Sequence, residues 1–275
     1  MPEGPEIHLE AQKIREVLGG KTCTYTWFYH EHLKPFEREL SDKKILDVQA
    51  YGKGLVISFE GDAHIYSHNQ LYGRWYIARA GEYPDTTRSL RLELQTAHHS
   101  ALLYSASEID VMDAESLKTH PYLSAIGPDV LRCTVQDVLD QCRSRTFSNR
   151  AFSGLLLDQH FLAGVGNYLR SEILFCSGVH PSEKPSKLGE ARLQHFAETA
   201  LLISNRAFDT KGITLDESRV AQAKSAGIKR RGYRHYVFAR EAEACYSCGT
   251  EIEKTAMNSR RIYLCKTCQP VPAKS

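Results

Sequence analysis

The chain has 275 residues, 42% of them hydrophobic and 25% charged, a globular balance that excludes disordered, collagen-like and coiled-coil chains and leaves room for more than one core. Apolar runs are too short to span a membrane, and the acidic, proline-broken start Met1-Pro2-Glu3-Gly4-Pro5-Glu6 lacks the features of a signal or transit peptide, so a soluble cytoplasmic protein is expected. The net charge of +2 hides a split: residues 1–140 hold 14 Lys+Arg against 21 Asp+Glu, and residues 141–275 hold 21 against 12, which suits either a polyanion surface in the second half or a chance segregation of solvated charges.

In chain order, Ile7, Ala11, Ile14 and Leu18 form a helical stripe that Gly19-Gly20 stops. Short β-like runs follow at Thr22–Tyr29, Leu55–Phe59, Leu90–Leu94 and Ala101–Tyr104, the last after a turn at His98-His99-Ser100. Short strands with frequent turns predict a sandwich or barrel with the first helix packed on it. Around Gly127-Pro128 the pattern becomes helical: Thr134–Cys142, Arg150–Leu157, Tyr168–Cys176 and Ala191–Asn205, with Thr134, Asn149 and Asn167 as openers. Residues 209–235 are polar and end in the basic run Lys229–His235, which predicts a long loop. Two Cys-x2-Cys knuckles, Cys245/Cys248 and Cys265/Cys268, flank two runs, Thr250–Ala256 and Arg260–Leu264, that read as a short hairpin. Four thiolates on two tight turns match a structural zinc site, with an iron–sulfur site or two redox pairs as the alternatives, and the segment has too little apolar bulk to fold without metal. The expected domains are a β-sandwich at 1–125, a helical domain at 130–235 and a zinc finger at 236–270.

Four clusters carry reactive or ligand-binding chemistry. If Met1 is removed, Pro2 becomes a terminal secondary amine; a model α-amino group, pKa about 7.7–8.0, is roughly a tenth unprotonated at pH 7, far more than lysine. Such an amine can attack an electrophilic carbon and form an iminium ion, with Glu3 moving protons beside it. The same residues would also serve simply as a stiff, dipole-matched helix start. Lys53 sits between Gly52 and Gly54, a tight turn able to approach a phosphate or merely join a hairpin. Gln70-Leu71-Tyr72 suits a loop that wedges into a base stack, or a strand turn with a buried Leu. Gly164-Val165-Gly166-Asn167, between two helices, offers free backbone N–H groups to a phosphate.

In this order and over nearly the whole chain, these motifs resemble the formamidopyrimidine-DNA glycosylase and endonuclease VIII family of bifunctional base-excision enzymes. The resemblance implies that Pro2 attacks C1′ of a damaged nucleotide, that Glu3 handles protons, and that Lys53 is a catalytic or phosphate-contacting lysine. It makes Asn167 and Arg260 phosphate-gripping residues and places Glu6 and Glu172 among the acidic residues of the active-site region. Gln70-Leu71-Tyr72 is similar to the triplet of the endonuclease VIII branch, which acts mainly on oxidised pyrimidines. The implied reaction is base excision followed by β- and δ-elimination at the abasic site, with one structural zinc ion, double-stranded DNA as partner and a monomer as the default. The target nucleotide would be flipped into a cleft. The stretch from Lys211 to His235 is longer and more basic than the resemblance leads one to expect, which leaves base preference open. A catalytically inert zinc-containing DNA-binding or damage-sensing protein is the alternative, and a zinc-ribbon RNA-binding protein using Tyr25, Trp27 and Tyr29 a weaker one.

Overall fold

The computed structural model describes residues 2–272. The chain divides into two compact units that part between Ala125 and Ile126.

The first unit begins with α1 (Gly4–Leu18), whose Ile7, Ala11, Ile14 and Leu18 are buried while Gln12, Lys13 and Glu16 face solvent. Then come β1 (Tyr25–Phe28), α2 (Pro35–Leu40), β2 (Ile45–Tyr51), β3 (Gly54–Phe59), β4 (Ala63–His68), β5 (Arg74–Arg79), β6 (Leu90–Gln95), β7 (His99–Tyr104), β8 (Glu108–Met112) and α3 (Ala114–Thr119). Two antiparallel four-stranded sheets result, ordered β2-β3-β4-β8 and β1-β6-β7-β5. One apolar core joins α1 to both sheets, through Val48, Ile57 and Ile65 of one and Leu92, Leu94 and Leu103 of the other. The expected sandwich is therefore present. His99 and Ser100 are the first residues of β7 rather than a turn, because the bend falls earlier, where the Thr96 N–H donates to the His99 carbonyl at 2.8 Å.

The second unit contains α4 (Val135–Arg143), α5 (Phe152–Leu155), α6 (Asn167–Cys176), α7 (Glu190–Asp209), α8 (Glu217–Ser225), β9 (Glu253–Met257) and β10 (Arg260–Leu264). Thr134 opens α4 in a capping box with Asp137, as its position ahead of an apolar stripe predicts. Val138 and Leu139 of α4, Leu169 and Ile173 of α6, and Phe196 and Ile203 of α7 build the helical core. Ile262 of β10 belongs to this core too, so the cysteine hairpin is packed against the helices. A second small cluster joins Phe175 to Val237, Ile252, Tyr263 and two of the cysteines. The hairpin thus borrows the apolar bulk it lacks.

Three local expectations need correction. The helix predicted at 150–157 is the single turn α5, capped by Ala151, because Asn149 instead accepts a hydrogen bond from the Ser186 hydroxyl. Asn167 is the first residue of α6, and Gly166 is its cap. Residues 209–235 are not one loop: Asp216 caps α8 by accepting from the Arg219 N–H, and a 3-10 turn follows at Arg230–Tyr233. No residue of α8 is buried, so its sequence lacks the apolar stripe by which helices are read; its cap and good helix formers sustain it.

The β2–β3 turn sets the position of Lys53. Gly52 adopts φ +58°, and a Cβ on Gly54 would lie 2.7 Å from the Tyr66 ring and 3.1 Å from that of Tyr122. Gly54→Ala is expected to cost about 1–3 kcal/mol by forcing those rings aside. Chemical denaturation checks it: an unchanged midpoint would mean the rings yield freely.

Candidate functional site

In the first unit the amine-bearing end of the chain is fixed by helix chemistry. Glu3 is the N-cap of α1, and Glu3 and Glu6 form a reciprocal capping box in which the Glu3 N–H donates to Glu6 Oε2 at 3.0 Å. Glu3 is only 2% exposed, with its carboxylate at the positive end of the helix dipole. Glu6 therefore fixes the backbone immediately after Pro2. Lys53 is largely buried as well; its N–H donates to the Tyr122 hydroxyl at 2.9 Å, and that hydroxyl donates to the Tyr51 carbonyl at 3.3 Å, bracing the turn from both sides.

The Gln70-Leu71-Tyr72 triplet forms the loop between β4 and β5. Leu71 and Tyr72 are 58% and 66% exposed, so the loop is not a strand turn with a buried Leu. Gln70, at φ +47°, is held instead: its Nε2 donates to Glu108 Oε2 at 2.9 Å, and Ser107 Oγ donates to its Oε1 at 2.7 Å. His68, given no role from sequence, joins this loop to the lysine turn. It pairs across strands with Gly54, and its Nδ1 accepts the Gln70 N–H at 3.0 Å. Burial pushes its pKa down, opposed by Glu108 and aided by the Lys53 charge, consistent with a neutral imidazole whose proton sits on Nε2. An open groove of about 920 Å³, reached by the same Glu108 and Tyr122, is lined also by Glu39, Asp62, Asp110 and Asp113, a charge that would repel a phosphodiester.

The second unit is organised by two fully buried charges on α6. Arg170 donates from Nη1 to the Ser153 carbonyl at 2.7 Å and from Nη2 to Asn167 Oδ1 at 2.8 Å and to the Arg261 carbonyl at 2.9 Å. One guanidinium thus ties α5, the start of α6 and β10 together. Its bond to Asn167 Oδ1 turns the amide Nδ2 donor away from itself. The hairpin tip, Asn258-Ser259 with φ +54° and +57°, is a two-residue turn that presents the exposed Arg260. Asn258 rests on α5, where a Cβ on Gly154 would come within 2.4 Å of its Nδ2.

Glu172 accepts the N–H groups of Tyr236, Val237 and Phe238 at 2.7–2.9 Å, together with the Thr214 hydroxyl. Burial raises its pKa while these four donors lower it, and an ionised carboxylate satisfies all four at once. His235 Nδ1 lies 3.1 Å from Thr214 Oγ1, giving a chain in which His235 donates to Thr214 and Thr214 to Glu172. The polar segment 214–238 is ordered around this one acid. The family resemblance implies that Glu172 belongs to the active-site region; its hydrogen-bond partners make it an anchor of backbone.

The sulfur atoms of Cys245, Cys248, Cys265 and Cys268 lie within 4.8 Å of one another, with Cys248–Cys265 at 3.4 Å and Cys245–Cys268 at 3.9 Å. A tetrahedral ion with bonds of about 2.3 Å needs sulfurs roughly 3.8 Å apart, so the four thiols fit a metal centre. Buried Gln269 fixes the second knuckle: its Oε1 accepts from the Cys265 N–H and its Nε2 donates to the Val179 carbonyl.

Residues 1–108 match the formamidopyrimidine-DNA glycosylase N-terminal domain, and residues 126–218 match the helix–two-turn–helix domain of the same enzymes. Similar relatives include proteins named endonuclease 8 from Salmonella arizonae, 45% identical over 271 residues, and from Enterobacter sp., 44% identical over 273; each covers 98% of this chain and 100% of the relative. The fold is also that of Lactococcus lactis Fpg, solved with DNA containing N7-benzyl-Fapy-dG (TM-score 0.81, 19% identity, 98% of this chain and 100% of that one) and with DNA containing an abasic site (TM-score 0.80, 20% identity, same coverage). These matches define a DNA glycosylase with abasic-site lyase activity. The chain belongs to the formamidopyrimidine-DNA glycosylase and endonuclease VIII family.

The buried His235 makes part of the second unit acid-sensitive. Burial first, then Arg234 and Arg230, lower its pKa to about 3. The neutral ring therefore stabilises the fold above its ordinary value near 6.5, and this contribution is lost as pH falls from 6.5 toward 3. The stability advantage of the native chain over His235→Asn is expected to shrink steadily between pH 7 and pH 4 in thermal unfolding. A constant difference across that range would show that His235 does not titrate with unfolding.

Proposed function

We propose that this enzyme excises oxidised pyrimidines from duplex DNA, using the amine of Pro2, exposed after loss of Met1, as its nucleophile. The observation that carries this reading is the geometry of the first turn of α1: a buried carboxyl, Glu3, follows Pro2 directly, and a capping box locks the backbone between them. The unprotonated amine attacks C1′ as the base departs, forming the N–C1′ bond and breaking the glycosidic bond, while Glu3 handles the protons at the base and the sugar oxygen. Glu3 then protonates O4′ as the C1′–O4′ bond opens and the attached nitrogen, having lost its proton, forms a double bond to C1′; this iminium ion acidifies C2′–H. Loss of that proton expels the 3′ phosphate in β-elimination, a second elimination expels the 5′ phosphate, and hydrolysis of the imine frees Pro2.

Leu71 and Tyr72, exposed on a loop fixed through Gln70, suit insertion into the stack vacated by an extruded nucleotide. Lys53, Asn167 and Arg260 supply donors for the DNA backbone; Arg170 holds Asn167 directly and the carbonyl of Arg261, the residue after Arg260. Zinc is the ion that four thiolates at this spacing favour, and it would cross-link the two knuckles without touching the reaction. The same reading takes three functional segments, at 1–125, 130–235 and 236–270, and a monomer acting on DNA in the cytoplasm.

Incision of a duplex carrying one oxidised pyrimidine tests this directly. The expected product is a one-nucleotide gap with phosphate at both ends, formed faster than from an oxidised purine. A 3′-hydroxyl end would refute the double elimination, faster cleavage at the purine would refute the substrate class, and tight binding without incision would favour the inert DNA-binding alternative.

A further inference from the structure

The wedge loop has a partner on the helix that carries the amine. Asn69, immediately before the Gln70-Leu71-Tyr72 triplet, is 3% exposed, and its Nδ2 donates to Glu10 Oε2 at 2.7 Å. Its carbonyl closes the loop by accepting the Gly73 N–H at 2.7 Å, so tightly that a Cβ on Gly73 would lie 2.5 Å from that oxygen. On the far side the Arg88 guanidinium donates to the Tyr72 carbonyl. Glu10 stands seven residues beyond Glu3 on α1, two turns along and on the same face, a rise of about 10 Å. The amine end and the mount of the wedge are therefore parts of one rigid helix.

We propose that Glu10 is a positioning residue: by accepting the Asn69 amide it holds the exposed Leu71 and Tyr72 at a fixed offset from Pro2, so that insertion of the wedge presents the extruded nucleotide to the amine. This rests on the reading of Pro2 and the wedge given above. A carboxyl in this place costs more than an amide would, since burial raises its pKa to about 7, with Glu6 adding to the rise and Asn69, Lys13 and Arg74 opposing it. Charged or neutral, Glu10 retains an oxygen that accepts from Asn69. What the loop requires is that acceptor.

The test compares the full-length native protein with Glu10→Ala, Glu10→Gln, Asn69→Ala and the double alanine variant, on two substrates. The first is a duplex with one oxidised pyrimidine beside 2-aminopurine, whose fluorescence rises when the stack opens. The second is a single-stranded abasic oligonucleotide, which has no stack to open, trapped with borohydride. For Glu10→Ala the expected result is a tenfold or greater loss in both fluorescence rise and single-turnover excision on the duplex, with native trapping on the single strand. Asn69→Ala should match it, the double variant should be no slower than either single, and Glu10→Gln should stay within twofold of the native chain. Native rates for Glu10→Ala on the duplex would overturn the proposal, as would equal losses on both substrates or a Gln variant as slow as Ala. Failure of the alanine variants to fold leaves Glu10→Gln to decide, since slow excision by a folded Gln variant also overturns it. If the native protein itself forms no adduct on either substrate, the functional reading falls first and the proposal with it.

Discussion

The reactive atom in the proposed chemistry belongs to the main chain, so its placement depends on where helix α1 begins and how firmly that end is held. A lysine nucleophile can search for its target on four rotatable bonds; a terminal proline cannot. Burial of Ile7, Ala11, Ile14 and Leu18 against both sheets fixes the helix, and the Glu3–Glu6 capping box fixes its first turn. Glu3 can therefore be a proton carrier and an N-cap at once. Elsewhere in the first unit Tyr122 braces the Lys53 turn, and Glu108 and Glu10 of α1 brace the loop at 69–72.

The second unit meets a different demand: keeping short, irregular backbone in a fixed shape. Its solution is a pair of buried charges two residues apart on α6. Arg170 satisfies the carbonyls of two segments and orients Asn167, while Glu172 gathers three successive N–H groups from the approach to the cysteine hairpin. Isolated buried charges of this kind would be costly. Here each is surrounded by backbone dipoles of the opposite sense, which adds directional bonds to the apolar contacts between helix and hairpin.

What the sequence reveals follows from the range of the interactions. The stripe of α1, the Thr134 cap and the paired Cys-x2-Cys knuckles are local patterns and are legible, as is the Gly52-Lys53 turn. Glu10 with Asn69 and Arg170 with Arg261 are 59 and 91 positions apart, and no periodicity marks them. Helix α8 escaped for the opposite reason, since it buries nothing and carries no stripe. The resemblance points to Glu172, yet the N–H groups around its carboxylate converge only once residues 236–238 are folded over it. The charge split, read as a polyanion surface, agrees with a basic hairpin tip at Arg260 and Arg261 and an acidic groove in the first unit.

The central claim is that the main-chain nitrogen of Pro2 performs the chemistry. Borohydride trapping on a duplex with one oxidised pyrimidine, followed by peptide mapping of the adduct by mass spectrometry, tests it most directly. The account predicts a chain lacking Met1 with the sugar remnant on the N-terminal peptide at Pro2. An adduct mapped to Lys53 or any other lysine, or no adduct from a correctly processed chain on damaged and abasic DNA alike, would contradict it.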